Sequence, residues 1–264
     1  MPRAKRWTMV KPSAHGIWVV RLSKWRYFHD FVHQQMLDFT NHVWRGQRCD
    51  DHELESSLDR ELRGKGPHVR KRVIAEHMES FKYAVRGRRG PNPIPLLDEN
   101  EWWALGQHHG LITPLLDWTT SPFVALYFAF EKKKVPQTRY RAVFALSRDS
   151  VEKISAEIRG KHRGLDRPRI VEFIRPLTDD NPRLVNQGGL FSRAPDASTI
   201  EDWMRENVSE DITGGMYIKL LIPDSDRLEC LRTLNRMNIN HLTLFPDLYG
   251  ASAFCNTALG IEKY

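Results

Sequence analysis

The chain is poor in cysteine and lacks any long hydrophobic run. Its 264 residues include three cysteines, Cys49, Cys230 and Cys255, which are far apart in the sequence. An odd, scattered set argues against a disulfide framework, shows no metal-binding spacing and is typical of a reducing cytoplasm. No run of about 18 apolar residues is present, so we expect no membrane span and no membrane partner. The basic residues 1–15 lack the apolar segment of a secretory signal, so we expect a cytoplasmic protein.

The sequence also lacks the short motifs of several enzyme classes. Neither a Walker P-loop nor a G-x-G-x-x-G pattern occurs, so the cofactor sites that these motifs build are not expected. No G-x-S-x-G surrounds Ser121, which argues against a serine hydrolase. His108 and His109 have no third ligand at helical or hairpin spacing, so no metal is expected there.

Positive charge is in excess. Lysine and arginine total 40 against 33 acidic residues, a formal net charge of +7. This favours an anionic partner such as nucleic acid, a polyphosphate cofactor or an acidic protein. Ordinary basicity without a dedicated patch explains the charge equally well.

The order of predicted elements is helices first and mostly antiparallel strands later, which predicts an α+β fold. We expect a loose basic arm over residues 1–15 and a single domain over residues 16–264. Aromatic residues at helical spacing predict an amphipathic helix over residues 24–42. Short β-branched and aromatic runs predict strands over 43–47, 141–146, 170–174, 183–192, 216–222 and 241–249.

Residues 107–129, QHHGLITPLLDWTTSPFVALYFA, carry the densest group of chemically capable side chains. We expect an extended segment, a polar turn and a buried helix, with Thr120 or Ser121 as N-cap and Pro122 at the first helical position. Hydroxyls and histidines would then meet near a helix N-terminus, which favours anions. Capping by the hydroxyls and a turn locked by Asp117 explain any single residue at least as well.

Arg45 and Gln47 form a second polar group. They alternate with Trp44 on a predicted strand that ends at Gly46, so both should point away from the buried face. An arginine so placed can hold a phosphate or carboxylate bidentately. A surface salt bridge is the simpler explanation if this group stands alone.

Gln187 forms a third candidate, next to Gly188 and Gly189 in a predicted strand. Its amide could bind ribose hydroxyls, and paired glycines permit close approach of a ligand to the backbone. A strand bulge with no ligand is the alternative.

Together these segments resemble the FRG-domain family, named for a phenylalanine-arginine-glycine motif. The matching segments are Trp44-Arg45-Gly46-Gln47, Gln107 to Gly110, Leu115 to Thr119 with Ala125 to Ala129, Gln187 to Phe191, and Phe245 to Gly250. One departure is that Ile112-Thr113-Pro114 stands where the family usually has proline-threonine-arginine. That arginine is therefore missing here, together with any anion contact that it makes.

The FRG domain is in turn similar to the ADP-ribosyltransferase fold, a split antiparallel sheet core with N-terminal and inserted helices. In that superfamily an arginine or histidine, a serine-threonine-serine turn and a glutamate follow one another on three strands. Arg45, Thr119-Thr120-Ser121 and Gln187 occupy the same order here. The resemblance implies an NAD-dependent ADP-ribosyltransferase toxin that modifies a macromolecule. We expect that acceptor to be nucleic acid (RNA), as in bacterial phage defence, with a possible cognate antitoxin.

The resemblance also implies the site. The expected catalytic residues are Arg45, Gln187, Thr120 and His108, and NAD would act as substrate, with no metal. The expected NAD-binding residues are Arg45, Gly46, Gln47, Gln107, His108, His109, Asp117, Thr119, Thr120, Ser121 and Gln187. Glutamine cannot remove a proton, so Asp117 and Glu172 are the candidate general bases. NAD hydrolysis without an acceptor, and a non-catalytic RNA- or nucleotide-binding module, are the alternatives.

Overall fold

The computed structural model describes residues 5–91, 93, 95–96, 98–176 and 182–264. The strands are β1 (Trp7–Met9), β2 (Ile17–Leu22), β3 (His42–Gln47), β4 (Leu115–Thr119), β5 (Tyr140–Ser147), β6 (Glu172–Ile174), β7 (Gly189–Arg193) and β8 (Tyr217–Pro223). They form one sheet in the order β1-β2-β8-β5-β3-β4-β7-β6. Neighbours are antiparallel except β2 and β8, which are parallel. The mixture of this sheet with many helices confirms the α+β class.

The helices flank and connect the strands. They are α1 (Tyr27–Phe31), α2 (Ser57–Glu61), α3 (Pro67–Ala84), α4 (Glu99–His108), α5 (Pro122–Phe130), α6 (Arg148–Lys161), α7 (Pro182–Gln187), α8 (Ile200–Asn207), α9 (Arg227–Arg236), α10 (His241–Leu244) and α11 (Leu248–Gly260). A π-helical turn, Val32–Met36, continues α1, and a 3-10 turn, Asp224–Asp226, precedes α9. In the described ranges no helix is both long and apolar enough to cross a membrane.

The sheet narrows at its centre. Along the described chain, β3 and β4 pair only where Trp44 lies opposite Thr119. On its other side β3 pairs with β5 along its whole length, from His42 to Gln47. The sheet therefore consists of two well-paired parts that diverge beyond Trp44, and Arg45 is the first residue of β3 past the junction.

Helix α5 packs directly on β3 through small residues. A Cβ added at Gly46 would lie 1.9 Å from the carbonyl oxygen of Ala125 and 2.5 Å from the nitrogen of Ala129. Both alanines are fully buried, and Trp44 on the same side of β3 lies in the same apolar core. The helix begins as the sequence predicts, with Pro122 in its first turn and the Ser121 hydroxyl accepting a hydrogen bond from the Val124 N–H.

Several predicted elements differ from those observed. Residues 7–9 of the expected loose arm form β1, because Trp7 packs edge-to-face on Phe31 at a ring-centroid distance of 5.6 Å. The helix expected over residues 24–42 spans 27–36, and Phe39 beyond it is 58% exposed.

The strand predicted over residues 183–192 was wrong in part, and the strand predicted over residues 241–249 was wrong. Residues 183–187 belong to α7, and a strand begins only at Gly189, because Gly188 has a φ of +55° and ends the helix. Residues 241–244 form α10 and Leu248 begins α11, and the N-termini of these helices are capped by the side chains of Asn240 and Asp247. Short apolar runs do not distinguish strand from buried helix.

Candidate functional site

Arg45 spans the gap where β3 and β4 diverge. Its Nη1 donates a hydrogen bond of 2.6 Å to the backbone carbonyl of Asp117 and lies 3.5 Å from the Asp117 carboxylate. The Arg45 side chain is 21% exposed, whereas that of Asp117 is 62% exposed. The guanidinium thus lies in the interior of the gap, and the carboxylate lies at its mouth.

A chain of polar contacts orients this pair. Gln107 Nε2 donates to the Asp117 carboxylate at 3.0 Å. Gln107 Oε1 in turn accepts a hydrogen bond from the Thr113 hydroxyl. Helix α4 and strand β4 are therefore linked through side chains that end at Arg45, and the orientation of Asp117 is defined from two directions.

Two polar atoms on this face of β3 are unsatisfied, although Gln47 Nε2 donates to the Glu53 carbonyl at 3.3 Å. Arg45 Nε and Gln47 Oε1 are buried, and neither has a hydrogen-bond partner among the described residues. Leaving a buried polar atom unpaired costs about 1–3 kcal/mol, so such atoms point to a missing partner. Burial lowers the pKa of Arg45, and the neighbouring Asp117 opposes this shift. An arginine stays protonated in such a setting.

The two histidines lie at the end of a helix, contrary to the extended segment expected for them. Gln107 and His108 close α4, and His109 caps it, because Gly110 with a φ of +83° stops the helix. The rings of His108 and His109 lie together at a centroid distance of 4.8 Å, so they do not point to opposite sides. Burial, then His109 and Arg183, lower the pKa of His108. The imidazole of His108 is therefore neutral at pH 7.

The turn between β4 and α5 joins two parts of the chain. The Thr119 hydroxyl donates to the backbone carbonyl of Gln187 at 2.5 Å, and the Thr120 N–H donates to the Gly188 carbonyl at 2.9 Å. Ser121 is occupied as the N-cap of α5. Of the three hydroxyl residues, Thr120 is the exposed one.

Gln187 does not have the role expected for it. It is the last residue of α7, and its Nε2 donates to the backbone carbonyl of Leu244 at 3.0 Å. The amide therefore ties α7 to α10. Gly188 packs closely against the β4–α5 turn, since a Cβ at this position would lie 2.6 Å from the Thr120 hydroxyl. The absence of side chains at Gly188 and Gly189 therefore allows separate parts of the chain to pack closely together.

Sequence reasoning missed Arg183 and Asp247 near the site. Arg183 Nε donates to the Asp247 carboxylate at 2.8 Å, and Asp247 also caps α11 by accepting from the Gly250 N–H. Both charges influence the pKa of His108, which Arg183 lowers and Asp247 raises. Asp247 lies within the Phe245 to Gly250 segment of the family resemblance, which was the only sequence feature that pointed to it.

The two candidate general bases, Asp117 and Glu172, lie in different parts of the structure. Asp117 lies in the site, beside Arg45. Glu172 lies on β6, the edge strand, where it binds Arg159 at 2.9 Å and Arg167 at 2.8 Å. Its carboxylate is thus part of an ion-pair network two strands away from β4, and the structure does not bring it to Arg45.

A possible metal-binding group lies just after β3. The donor atoms of Cys49, Asp51 and His52 all lie within 4.8 Å of one another. Cys49 is buried and the other two residues are exposed. Cysteine spacing does not indicate this group, because its ligand types are mixed and come from one turn.

Comparison with known families identifies part of this region. The family model described as FRG domain matches residues 32–138, which supports the FRG family for this chain. The match includes Arg45, Gly46 and Gln47 and all of residues 107–129, and it ends before Gln187 and the Phe245–Gly250 segment. No curated protein and no solved structure matches the chain.

Proposed function

We propose that the protein is an NAD-dependent ADP-ribosyltransferase that transfers ADP-ribose to a nucleic acid, with RNA as the acceptor. The observation that carries the proposal is the group at the β3–β4 gap. A charged arginine with a free Nε–H and a glutamine with a free Oε1 lie two residues apart on one strand, next to an exposed carboxylate. Anion, hydroxyl and developing cation are the three things that NAD cleavage requires a site to bind.

Each group has a chemical role in this proposal. Arg45 Nε donates to an oxygen of the NAD pyrophosphate, and Gln47 Oε1 accepts from a ribose hydroxyl. The bond between the anomeric carbon and nicotinamide breaks, and its electron pair leaves with nicotinamide. The Asp117 carboxylate stabilises the positive charge that develops at the anomeric carbon. A nucleophilic oxygen or nitrogen of the acceptor then forms the new bond, and its proton passes to Asp117.

Residues at the end of α4 complete the proposed pocket. Neutral His108 can accept a hydrogen bond from the nicotinamide amide or from the acceptor, with Gln107 and His109 beside it. Thr120 is exposed at the β4–α5 turn and would contact the nicotinamide ribose. We assign to Gln47 the ribose-binding role that the sequence suggested for Gln187, because the Gln187 amide is already bound to the Leu244 carbonyl.

Charge supports the choice of acceptor. The chain carries a formal net charge of +7, which favours approach to a phosphate backbone. A role as a toxin in phage defence, with a cognate antitoxin, is part of the same proposal and rests on the family resemblance. The alternatives are hydrolysis of NAD without an acceptor and nucleotide binding without catalysis, and the absence of a glutamate at position 187 favours the second.

The test is incubation with NAD labelled in the adenylate phosphate, followed by separation of RNA, DNA and protein. We expect label in RNA with the wild type, and a loss of about 100-fold or more in Arg45→Gln, whose charged contact is gone. Arg232→Gln, an exposed arginine on α9, is the matched control and should transfer normally. Nicotinamide release without labelled RNA would favour the hydrolase, and NAD binding without its consumption would favour the binding module.

A further inference from the structure

A second cavity lies at the opposite end of α4 from the β3–β4 gap. Its volume is about 970 Å³. Its walls are one side of α3, the first turn of α4, and the segments 165–169 and 193–197. With a rise of 1.5 Å per residue, Glu99 at its edge lies about 12 Å along the helix from Gln107. The cavity is therefore separate from the candidate NAD site.

The cavity carries surplus positive charge. Seven cationic side chains line it against five carboxylates: Lys65, Arg70, Lys71, Lys82, Arg167, Arg169 and Arg193 against Glu79, Asp98, Glu99, Asp166 and Asp196. Five of these cations have carboxylate partners, which are Asp59, Glu79, Glu99, Glu172 and Glu206. Lys65 and Lys71 are exposed and have no ion-pair partner within the described ranges.

Two buried arginines in the wall have an unused donor. The side chains of Arg70 and Arg193 are only 8% and 7% exposed. Arg70 is anchored by Asp59, and Arg193 Nη1 donates to Glu99 at 2.9 Å and to Asn100 at 3.1 Å. The Nε of each arginine has no hydrogen-bond partner in the part of the chain that the structure describes. Buried guanidinium donors of this kind are satisfied by an anion such as phosphate.

Further features of the wall suit a phosphorylated nucleoside. Arg167 also lines the cavity and binds Glu172 at 2.8 Å, and burial, then repulsion from Arg193, lower its pKa. Trp102 also lines the cavity and is partly exposed, and indole rings are the surfaces on which bases stack.

We propose that this cavity binds the phosphate of a nucleotide, supplied either by an RNA strand or by a free nucleotide. Arg70, Arg193, Lys65 and Lys71 hold the phosphate, and Trp102 receives the base. The site does not depend on NAD, and it lies beyond the proposed catalytic residues. If both sites operate, the cavity holds one part of an RNA strand while another part reaches Asp117.

The test is direct binding, without NAD, of a fluorescent ten-nucleotide single-stranded RNA and of fluorescent AMP. Lys65→Gln combined with Lys71→Gln removes two exposed cavity charges with little risk to folding. We expect about tenfold weaker RNA binding and a log-log salt slope reduced by about 1.4, since each single-strand phosphate contact contributes about 0.7. Lys24→Gln combined with Lys153→Gln, both exposed and outside the cavity, is the charge-matched control and should bind as the wild type.

The two probes separate the sources of phosphate. Loss of RNA binding alone in the cavity variant assigns the site to a strand, and loss of AMP binding assigns it to free nucleotide. The proposal is overturned if neither probe binds the wild type, or if the cavity variant binds both as tightly as the control. Because NAD is absent, either result leaves transfer of labelled ADP-ribose to be judged separately.

Discussion

The two faces of β3 differ sharply within four consecutive residues. Trp44 and Gly46 face α5 and are closely packed, with no room for even one added carbon at Gly46. Arg45 and Gln47 alternate with them and retain unpaired polar atoms, although both are largely withdrawn from solvent. The face with Trp44 and Gly46 is fully packed within the protein. On the face with Arg45 and Gln47, polar atoms have no partner among the described residues, and we call this face incomplete.

This difference explains why a packing residue and a binding residue occur side by side. A strand directs alternate residues to opposite faces, so a motif of four residues can position a helix and a ligand at once. Because α5 rests on Gly46, the turn that precedes it at Thr119 and Thr120 is held beside β3, where Thr119 pairs with Trp44. The packing face therefore sets the geometry of the chemical face, and substitutions should affect the two faces in different ways.

The largest effect should come from the packing face. In Gly46→Ala the new Cβ would meet backbone atoms of Ala125 and Ala129, which cannot move without displacing α5. We expect the free energy of unfolding to fall by about 3 kcal/mol, measured by urea denaturation. Gly160→Ala is the control, because a Cβ there meets nothing within 4 Å on helix α6, and it should leave stability unchanged or slightly raised. Equal stabilities of the two variants would show that the helix is not held at Gly46.

Asp117→Asn should have a smaller effect on stability and a larger effect on function. The side chain is 62% exposed, so losing its charge beside Arg45 should cost less than about 1 kcal/mol. Asparagine can still accept the hydrogen bond from Gln107. We expect ADP-ribose transfer to fall by about 100-fold or more, as removal of a general base does. Asp38→Asn, an exposed aspartate, is the control. Normal transfer by folded Asp117→Asn would remove Asp117 from the mechanism.

The smallest effect should be seen in the pH dependence of stability. The pKa of His108 lies below its ordinary value of 6.5 because of burial, His109 and Arg183. The unfolded chain therefore binds this proton at a higher pH than the folded protein does. Stability should fall as the pH drops from about 6.5 toward the lowered pKa.

His108→Gln should make that decline shallower, as measured by urea denaturation at several pH values between 7.5 and 5. His42, whose pKa is also lowered by burial, contributes a decline of the same sign that should remain in the variant. An unchanged pH dependence in His108→Gln would show that His108 is not desolvated by its surroundings.

Sequence patterns were sufficient where local rules decide the structure. The α+β class, the strand carrying Arg45 and the start of α5 at Ser121 and Pro122 were all predicted. Each depends on alternation, on capping chemistry or on the fixed φ of proline, which act within a few residues.

The arrangement of the site could not be predicted in the same way. The sequence gives no sign of a partner for the Gln187 side chain, but in the fold its amide donates a hydrogen bond of 3.0 Å to the Leu244 carbonyl. Arg183 on α7 meets Asp247 at the start of α11 only in the folded chain. Such contacts join residues about 60 or more positions apart, and no local pattern encodes them. The gap between β3 and β4 likewise results from the order of strands in the sheet.

The most direct test of the account is the affinity of NAD for the wild type and for Arg45→Gln, measured by isothermal titration calorimetry. The incomplete face of β3 predicts that the wild type binds NAD. Loss of a charged hydrogen bond should weaken binding about 10- to 100-fold while the unfolding midpoint changes little. Absence of NAD binding by the wild type, or equal affinity in the folded variant, would contradict the account.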